Sequence, residues 1–173
     1  MRQRRGYKSP VAALVWSLVL PGFGQLYNKN YFIGTVLIVF EILVNVYSNL
    51  NLALLYSFRG DFFQAHEIID YRWGLFYPSL YCFSLWHAYN TAKANNAQVL
   101  DHTFERRTYF TGFFIGMVVG MDAGLMLHDY SDYGQNPITF FLDMPVFNGI
   151  IIGLILGYVG HFIEKIVRKT ILN

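Results

Sequence analysis

The sequence predicts an all-α integral membrane protein with four transmembrane helices and an additional N-terminal half-helix. Hydrophobic residues make up 54% of the 173 positions and charged residues only 14%, whereas a typical soluble domain has about 25% charged residues. The charged residues are grouped between long uncharged runs, several of which approach the roughly 20 residues that a helix needs to cross a bilayer. This composition makes the lipid bilayer the expected main partner. The net charge of +2 is too small to indicate nucleic-acid binding.

We predict one membrane domain, residues 9–163, between two short basic ends. The basic tip, residues 1–8, and the basic tail, residues 164–173, are expected in the cytoplasm, because lysine and arginine favour the inner face of a membrane. No small-residue cleavage site follows the first apolar run, so we do not predict a cleaved signal peptide. The single cysteine, Cys82, lies in an apolar run, which excludes an internal disulfide bond.

The first apolar run, Val11 to Leu20, predicts a half-helix over residues 10–20 rather than a full span. Ten residues at about 1.5 Å each reach only half-way across a hydrocarbon core of about 30 Å. Ser9 and Pro10 form a typical helix start, with a serine cap and proline at the first helical position. A turn over residues 21–25 should then end the helix, because proline and glycine disrupt the regular backbone. We therefore expect the segment to re-enter the membrane or to lie at its surface.

Polar side chains follow the turn and predict a shelf at the level of the lipid headgroups. Tyr27 and Tyr31 are the expected interfacial aromatic residues of this shelf. Its polar members are Gln25, Tyr27, Asn28, Lys29 and Asn30.

The turn and the helix before it carry spaced residues that resemble the N-terminal motif of bacterial TM2-domain-like membrane proteins. The resemblance covers less than a quarter of the chain, and Lys29 stands where those proteins usually have glycine. It implies a small protein of a bacterial plasma membrane and implies no biochemical activity. The matching residues are Pro10, Ala13, Ser17, Leu20, Pro21, Gly22, Gly24, Gln25, Tyr27, Asn28 and Gly34.

Four longer apolar segments predict the transmembrane helices. A polar loop from Ala53 to Tyr71 separates the first two spans and includes a short surface helix within residues 61–70, where Phe62, Ala65 and Ile69 share one side. Pro78 is expected to kink the second span. An acidic, aromatic loop separates the third span from the fourth. The predicted spans are about residues 31–52, 73–91, 109–127 and 146–163.

The distribution of lysine and arginine decides between two topologies. If the half-helix does not cross the membrane, four spans follow a cytoplasmic N-terminus, and only Arg59 and Arg72 of the 13 basic residues lie outside. If the half-helix crosses, the basic residues are divided almost evenly between the two sides. We therefore expect both termini in the cytoplasm and the acidic loop outside.

The third and fourth spans each contain glycines at four-residue spacing, which places them on one face of each helix. Such faces let two helix backbones approach closely. The simpler interpretation is that the two spans pack against each other as a hairpin. The alternative is that one face docks a partner subunit or lines a path. The series are Gly112, Gly116, Gly120 and Gly124 in the third span, and Gly149, Gly153 and Gly157 in the fourth.

Four polar residues inside the predicted spans are candidate functional groups, because a charge in a bilayer is costly unless it is paired or hydrated. Glu41 and Asn45 share a polar stripe in the first span, while His87 and Asp122 lie in the second and third. Such groups bind a proton, a cation or a lipid headgroup, or they join helices by hydrogen bonds. One hypothesis is a common site of Glu41, His87 and Asp122, and the other is separate hydrogen bonds between helices.

The sequence contains no motif for catalysis, metal binding or cofactor binding. It has neither His-Glu-x-x-His nor Cys-x-x-Cys, no phosphate loop and no Gly-x-Ser-x-Gly. We therefore expect no enzyme activity, no cofactor and no metal. The predicted function is that of a small membrane protein that packs with itself or with a partner complex through its glycine-striped helices. The alternative is a small transporter or channel subunit with Glu41 and Asp122 as its ionisable sites.

Overall fold

The computed structural model describes residues 6–99, 108–126 and 145–171, and every regular element in these ranges is a helix. The predicted all-α fold class is therefore confirmed. The chain divides into two compact units, which we call the first unit (Met1–Ile42 and Leu80–Thr111) and the second unit (Leu43–Ser79 and Gly112–Asn173). In chain order the helices are α1 (Pro10–Val19), α2 (Phe23–Tyr27), α3 (Tyr31–Ser48), α4 (Leu50–Phe58), α5 (Phe62–Ile68), α6 (Tyr71–Gly74), α7 (Phe76–Val99), α8 (Thr111–Met126) and α9 (Pro145–Ile171).

The first unit combines α1, α2 and parts of α3 and α7 around small side chains. Ser9 caps α1 by accepting a hydrogen bond from the Ala12 N–H at 3.2 Å, and proline occupies the first turn, as the sequence predicts. Ala13, Ala88 and Ala92 are buried together in the core of the unit. Because these side chains end at Cβ, the helices that carry them approach closely.

The predicted first span does not continue to residue 52, because the helix breaks at Asn49. Asn49 adopts the left-handed conformation, with a φ of 56°, which asparagine tolerates better than most residues. Its Nδ2 donates to the Ile68 carbonyl oxygen at 3.2 Å, and the Ser48 hydroxyl accepts from the Leu50 N–H at 3.3 Å. The residues after the break form α4, so the polar loop predicted from Ala53 onwards was wrong in its first part.

The short helix predicted within residues 61–70 is present as α5. Asp61 caps it by accepting a hydrogen bond from a backbone N–H of the first turn at 3.1 Å. Phe62 and Ala65 are buried within α5, whereas Ile69, which is also buried, follows the end of the helix in an extended conformation. The local spacing of apolar residues was therefore sufficient to predict this element.

The predicted second span begins with the separate turn α6 and continues as α7. Asp70 caps α6, and hydrogen bonds from the guanidinium and then the backbone N–H of Arg72 lower the pKa of the Asp70 carboxyl group. Pro78 lies in the first turn of α7, where a helix needs no N–H from it. The reason for predicting a kink at Pro78 therefore does not apply.

In the second unit, α8 and α9 pack with their glycine faces together. A Cβ atom added at Gly116 would collide with the Leu156 carbonyl oxygen, and one added at Gly120 would lie 2.7 Å from the Gly153 Cα. These contacts lie within one chain, as in the simpler of the two interpretations above. Further along the hairpin, Gly112 faces Gly160 and Gly124 faces Gly149.

Each end of this hairpin is joined by a hydrogen bond from a side chain to the backbone. At one end, Glu164 Oε2 accepts from the Gly112 N–H at 2.8 Å, where the helix dipole of α8 favours a carboxylate. Arg168 holds the other Glu164 oxygen at 2.6 Å. At the opposite end, Asn148 Nδ2 donates to the Gly124 carbonyl oxygen at 3.0 Å.

Two helices of the described residues are long and apolar enough to cross a membrane, Tyr31–Ser48 and Val146–Thr170. Pro10–Val19 and Thr111–Met126 are apolar but shorter. Several predicted segments lie outside the described residues. They are most of the basic tip (1–5), part of the connection after the second span (100–107), the acidic loop (127–144) and the last two residues of the tail (172–173).

Replacing Gly116 by alanine should lower the free energy of unfolding by about 1–3 kcal/mol, because the new methyl group meets a backbone atom. The matched control is Gly74→Ala, where an added Cβ has no neighbour closer than 3.8 Å. We expect thermal unfolding in mild detergent to show a lower midpoint only for Gly116→Ala. Equal midpoints for the two variants would contradict the close packing of α8 and α9.

Candidate functional site

A sharp turn between α1 and α2 is built on two glycines. Gly22 has a φ of 106°, a conformation that residues with a Cβ rarely adopt. A Cβ atom at Gly24 would collide with the Ala13 carbonyl oxygen and the Ser17 hydroxyl, so only glycine lets α2 lie this close to α1. A Cβ atom at Gly22 would also collide with the Gly34 carbonyl oxygen of α3. Both glycines therefore allow a close approach, and Gly22 in addition allows the left-handed backbone conformation.

The turn returns the chain to the level at which α1 begins. The Tyr27 hydroxyl accepts a hydrogen bond from the Ser9 N–H at 3.2 Å. Lys8 Nζ lies 4.5 Å from the centre of the Tyr27 ring. Since the end of α2 contacts the residues just before α1, the chain enters and leaves this segment at the same end of α1.

Gln25 is the centre of a buried polar cluster and has 0% of its surface exposed. Its Oε1 accepts hydrogen bonds from the hydroxyl groups of Ser17 and Ser84, both at 3.3 Å. Its Nε2 donates to the Ser84 carbonyl oxygen at 2.9 Å and lies 3.4 Å from Nδ1 of His87. The amide oxygen therefore accepts two hydrogen bonds, and the amide nitrogen donates one to Ser84 and a second to His87 in the tautomer whose Nδ1 carries no hydrogen. We call these four residues, Ser17, Gln25, Ser84 and His87, the Gln25 cluster.

The turn itself is also bonded to α7. The Gly22 N–H donates to the Ser84 hydroxyl at 3.2 Å, and Asn28 Nδ2 donates to the Ala88 carbonyl oxygen at 2.8 Å. Successive turns of α7 thus bind the two ends of the glycine turn. Asn28 Oδ1 is buried and has no hydrogen-bond partner among the described residues.

Two asparagines of α7 each hold a distant residue by both polar atoms of their amide. Asn96 accepts from the Lys8 N–H at 2.9 Å and donates to the Lys8 carbonyl oxygen at 2.6 Å. Asn90 accepts from the Tyr109 N–H at 2.7 Å and donates to the Tyr109 carbonyl oxygen at 3.1 Å. We call these the asparagine clamps. Neither clamp was predicted from the sequence, where the signal for them was their position in the polar C-terminal half of an otherwise apolar segment.

The predicted polar shelf at the headgroup level was wrong for Gln25 and Asn28. Gln25 is fully buried and Asn28 is 4% exposed, because both amides are bonded to α7 instead of water. Lys29 and Tyr31 are exposed, as the shelf requires. Hydrogen bonds in a medium of low dielectric are strong, so the protein interior competes well with water for these amides.

The four candidate intramembrane residues are distributed over both units. His87 joins the Gln25 cluster, and Glu41, only 7% exposed, lies on the buried face of α3 in the same unit. Asn45 and Asp122 belong to the second unit and are half-buried. Asp122 Oδ1 has no hydrogen-bond partner in the part of the chain that the structure describes. The sequence did not predict that His87 and Gln25 would be neighbours.

The Gln25 cluster is suited to joining helices. Its groups are hydroxyls, an amide and an imidazole, and the Ser17 and Ser84 hydroxyls donate to an amide oxygen. A serine nucleophile would instead need its hydroxyl hydrogen directed at a base. The described residues also contain no group of three histidine, cysteine or acidic side chains that could hold a metal ion.

Replacing Gln25 by methionine should lower the free energy of unfolding by about 1–3 kcal/mol. The side-chain volume is kept, but buried hydroxyl and carbonyl groups lose their hydrogen-bond partner. The matched control is Gln64→Met on the exposed face of α5. We expect thermal unfolding in mild detergent to show destabilisation only in the first variant. The Gln25→Met/Ser84→Ala double variant should lose less than the sum of the two single variants. Strictly additive losses would mean that the two side chains do not interact.

Comparison with known proteins gives a family match that includes this site. The family described as "Family of unknown function (DUF5683)" matches residues 6–108, which contain α1 to α7 and every member of the Gln25 cluster. Neither a curated protein nor a solved structure matches the chain. Because the family match covers more than half of the 173 residues, this protein belongs to the DUF5683 family.

Proposed function

We propose that this protein is a small, non-enzymatic membrane protein that spans the plasma membrane four times and packs with itself or with a partner complex. The observation that carries the proposal is that the distribution of side chains is the reverse of that in a water-soluble protein. Small and polar residues lie between the helices, and large apolar residues point away from the protein. This distribution suits a lipid solvent, in which close packing and hydrogen bonds, rather than burial of apolar surface, hold helices together.

The distribution is clear on α3, the first proposed span. Glu41 and Ser48 are buried, whereas Phe32, Phe40 and Val46 each have more than half of their surface exposed. In water this arrangement would place the apolar side chains on the wrong side of the helix. The complete buried face consists of Gly34, Leu37, Glu41, Val44 and Ser48.

The same distribution holds on α9, the last proposed span. Asn148 and three glycines are buried against α8, while Ile155, Tyr158 and Phe162 are largely exposed. The exposed band continues along the helix with Ile150, Ile151, Leu154, Val159, Ile163, Ile166 and Val167. We propose that this band contacts lipid or the partner.

The other two proposed spans, α7 and α8, are supported by how their polar groups are used. Polar residues of α7, such as Ser84, Asn90 and Asn96, are bonded to protein groups of the same unit. A polar group at membrane depth is tolerated when protein satisfies it. α8 has 16 residues, close to the lower limit of about 17 for a span.

The α1–α2 segment fits the proposed re-entrant or interfacial half-helix. Its ten-residue first helix is too short to cross, and Tyr27 returns to the level of Ser9. Lys8 and Lys29 then lie on the same side of the membrane, together with both termini, which we assign to the cytoplasm. The resemblance of this segment to bacterial TM2-domain-like proteins remains a prediction.

In this proposal the assembly surface is the outward band of α9, and the glycine faces hold α8 and α9 together. The two glycine series contact each other, so α8 and α9 form one packing unit. A partner or a second copy would then contact the outward band of α9 instead of the glycines. The α8–α9 hairpin supplies a rigid surface for this contact.

The second candidate function is a small transporter or channel subunit. Asp122 favours it, because one of its carboxylate oxygens is buried without a hydrogen-bond partner among the described residues. Glu41 is a second buried carboxyl group within a proposed span. Buried acidic residues at membrane depth are frequent in proton and ion pathways.

The topology is testable by cysteine labelling after Cys82→Ala removes the buried native thiol. Gly6→Cys and Lys29→Cys should react with a membrane-impermeant maleimide only after the plasma membrane is opened, because both lie inside. Arg59→Cys should react in intact cells. All three positions are exposed in the structure. Opposite labelling of Gly6→Cys and Lys29→Cys would mean that α1 crosses the membrane, and uniform labelling of all three would contradict membrane integration.

The two candidate functions differ in their dependence on the carboxyl groups. In the assembly function, Glu41→Gln and Asp122→Asn should leave the oligomeric state and the copurified proteins in mild detergent unchanged. In the transport function, the same variants should abolish a proton or cation flux that the wild-type protein shows in liposomes. Asp61→Asn, an exposed acidic residue of the second unit, is the control. Flux in the wild type that is lost only in the buried variants would reject the assembly function in favour of transport.

A further inference from the structure

Two lysines of the first unit hold their ammonium groups against tyrosine rings. Lys8 Nζ lies 4.5 Å from the centre of the Tyr27 ring, and Lys93 Nζ lies 4.9 Å from that of Tyr109 and 6.0 Å from that of Tyr89. A cation within about 6 Å of a ring centre is attracted by the negative face of the ring. Neither lysine forms an ion pair in the part of the chain that the structure describes, so neither charge is neutralised there.

Each asparagine clamp holds the backbone of one residue in a lysine–tyrosine pair. Asn96 holds the backbone of Lys8 and Asn90 holds the backbone of Tyr109, each through two hydrogen bonds. In the first pair the clamp acts on the lysine, and in the second it acts on the tyrosine. A ligand that binds to such fixed groups loses less free energy in ordering them than it would at flexible surface lysines.

Both pairs lie at the same membrane level if the proposed topology is correct, and the following inference rests on it. Lys8 and Tyr27 are at the open end of the re-entrant segment. Lys93 follows the predicted inner end of the second span. Both pairs are then at the cytoplasmic headgroup level, where tyrosine is favoured and anionic lipids attract basic residues.

We propose that the Lys8–Tyr27 and Lys93–Tyr109 pairs bind the phosphate groups of anionic phospholipids in the inner leaflet. Each ring supports one side of the ammonium group and leaves its remaining hydrogens for phosphate oxygens. The asparagine clamps use uncharged groups, so no fixed negative charge of a clamp opposes the lipid. The Gln25 cluster holds the α1–α2 turn against α7 and thereby positions the first pair.

The proposal is tested by native mass spectrometry of the full-length protein in mild detergent, titrated with phosphatidylglycerol or phosphatidylcholine. The wild type should prefer phosphatidylglycerol. Lys8→Met and Lys93→Met should each weaken phosphatidylglycerol binding about fivefold, and the double variant should lose the preference. Lys165→Met/Lys169→Met, on an exposed part of α9, removes the same charge and should keep the preference. Lys8→Arg/Lys93→Arg should also keep it.

Three results would overturn the proposal. The first is unchanged phosphatidylglycerol binding in the Lys8→Met/Lys93→Met variant, with a wild-type unfolding midpoint as proof of folding. The second is an equal loss in the Lys165→Met/Lys169→Met control, which would indicate attraction to diffuse charge. The third is displacement of the lipid by equimolar inorganic phosphate, which would indicate a site for free anions. The cysteine labelling tests the topology on its own, because it does not depend on lipid selectivity. Failure of the lipid-binding proposal can therefore be distinguished from failure of the proposed topology.

Discussion

The first unit depends on the hydrogen bonds of one buried amide. Gln25 joins α2 to α1 through Ser17 and to α7 through Ser84 and His87. A buried polar group costs free energy unless it is bonded, and a fully bonded network favours one arrangement of the helices over others. The glycines at positions 22 and 24 serve this network, since they bring the turn close enough for the amide to reach both helices.

In the second unit, close contact and directional hydrogen bonds come from different residues. Along α8 and α9 the glycines let the backbones touch, which yields dispersion contacts but no directional bonds. Direction is supplied at the two ends, where Glu164 bonds to Gly112 and Asn148 bonds to Gly124. The hairpin cannot slide along its glycine faces without breaking one of these bonds. Flat faces and end bonds together therefore define a single register.

Features that depend on neighbouring residues were predictable from the sequence, and features that depend on distant partners were not. The cap at Ser9 and the apolar side of α5 follow from local spacing, and the structure has both. The break at Asn49 involves the carbonyl oxygen of Ile68, 19 residues later. Ser84, the partner of Gln25, lies 59 residues further along the chain, and the local pattern of residues gives no information about so distant a contact. Gln25 was therefore assigned to the headgroup level.

The separation between Gln25 and Ser84 also determines the order of events during synthesis. When the ribosome has made the α1–α2 turn and α3, the amides of Gln25 and Asn28 have no α7 to bond to. Until residues 84–88 emerge, these amides lack the partners that α7 supplies. The α1–α2 segment therefore completes its hydrogen bonds late, after helices that follow it in the chain. A truncation before residue 84 should leave the N-terminal segment exposed to quality-control proteases.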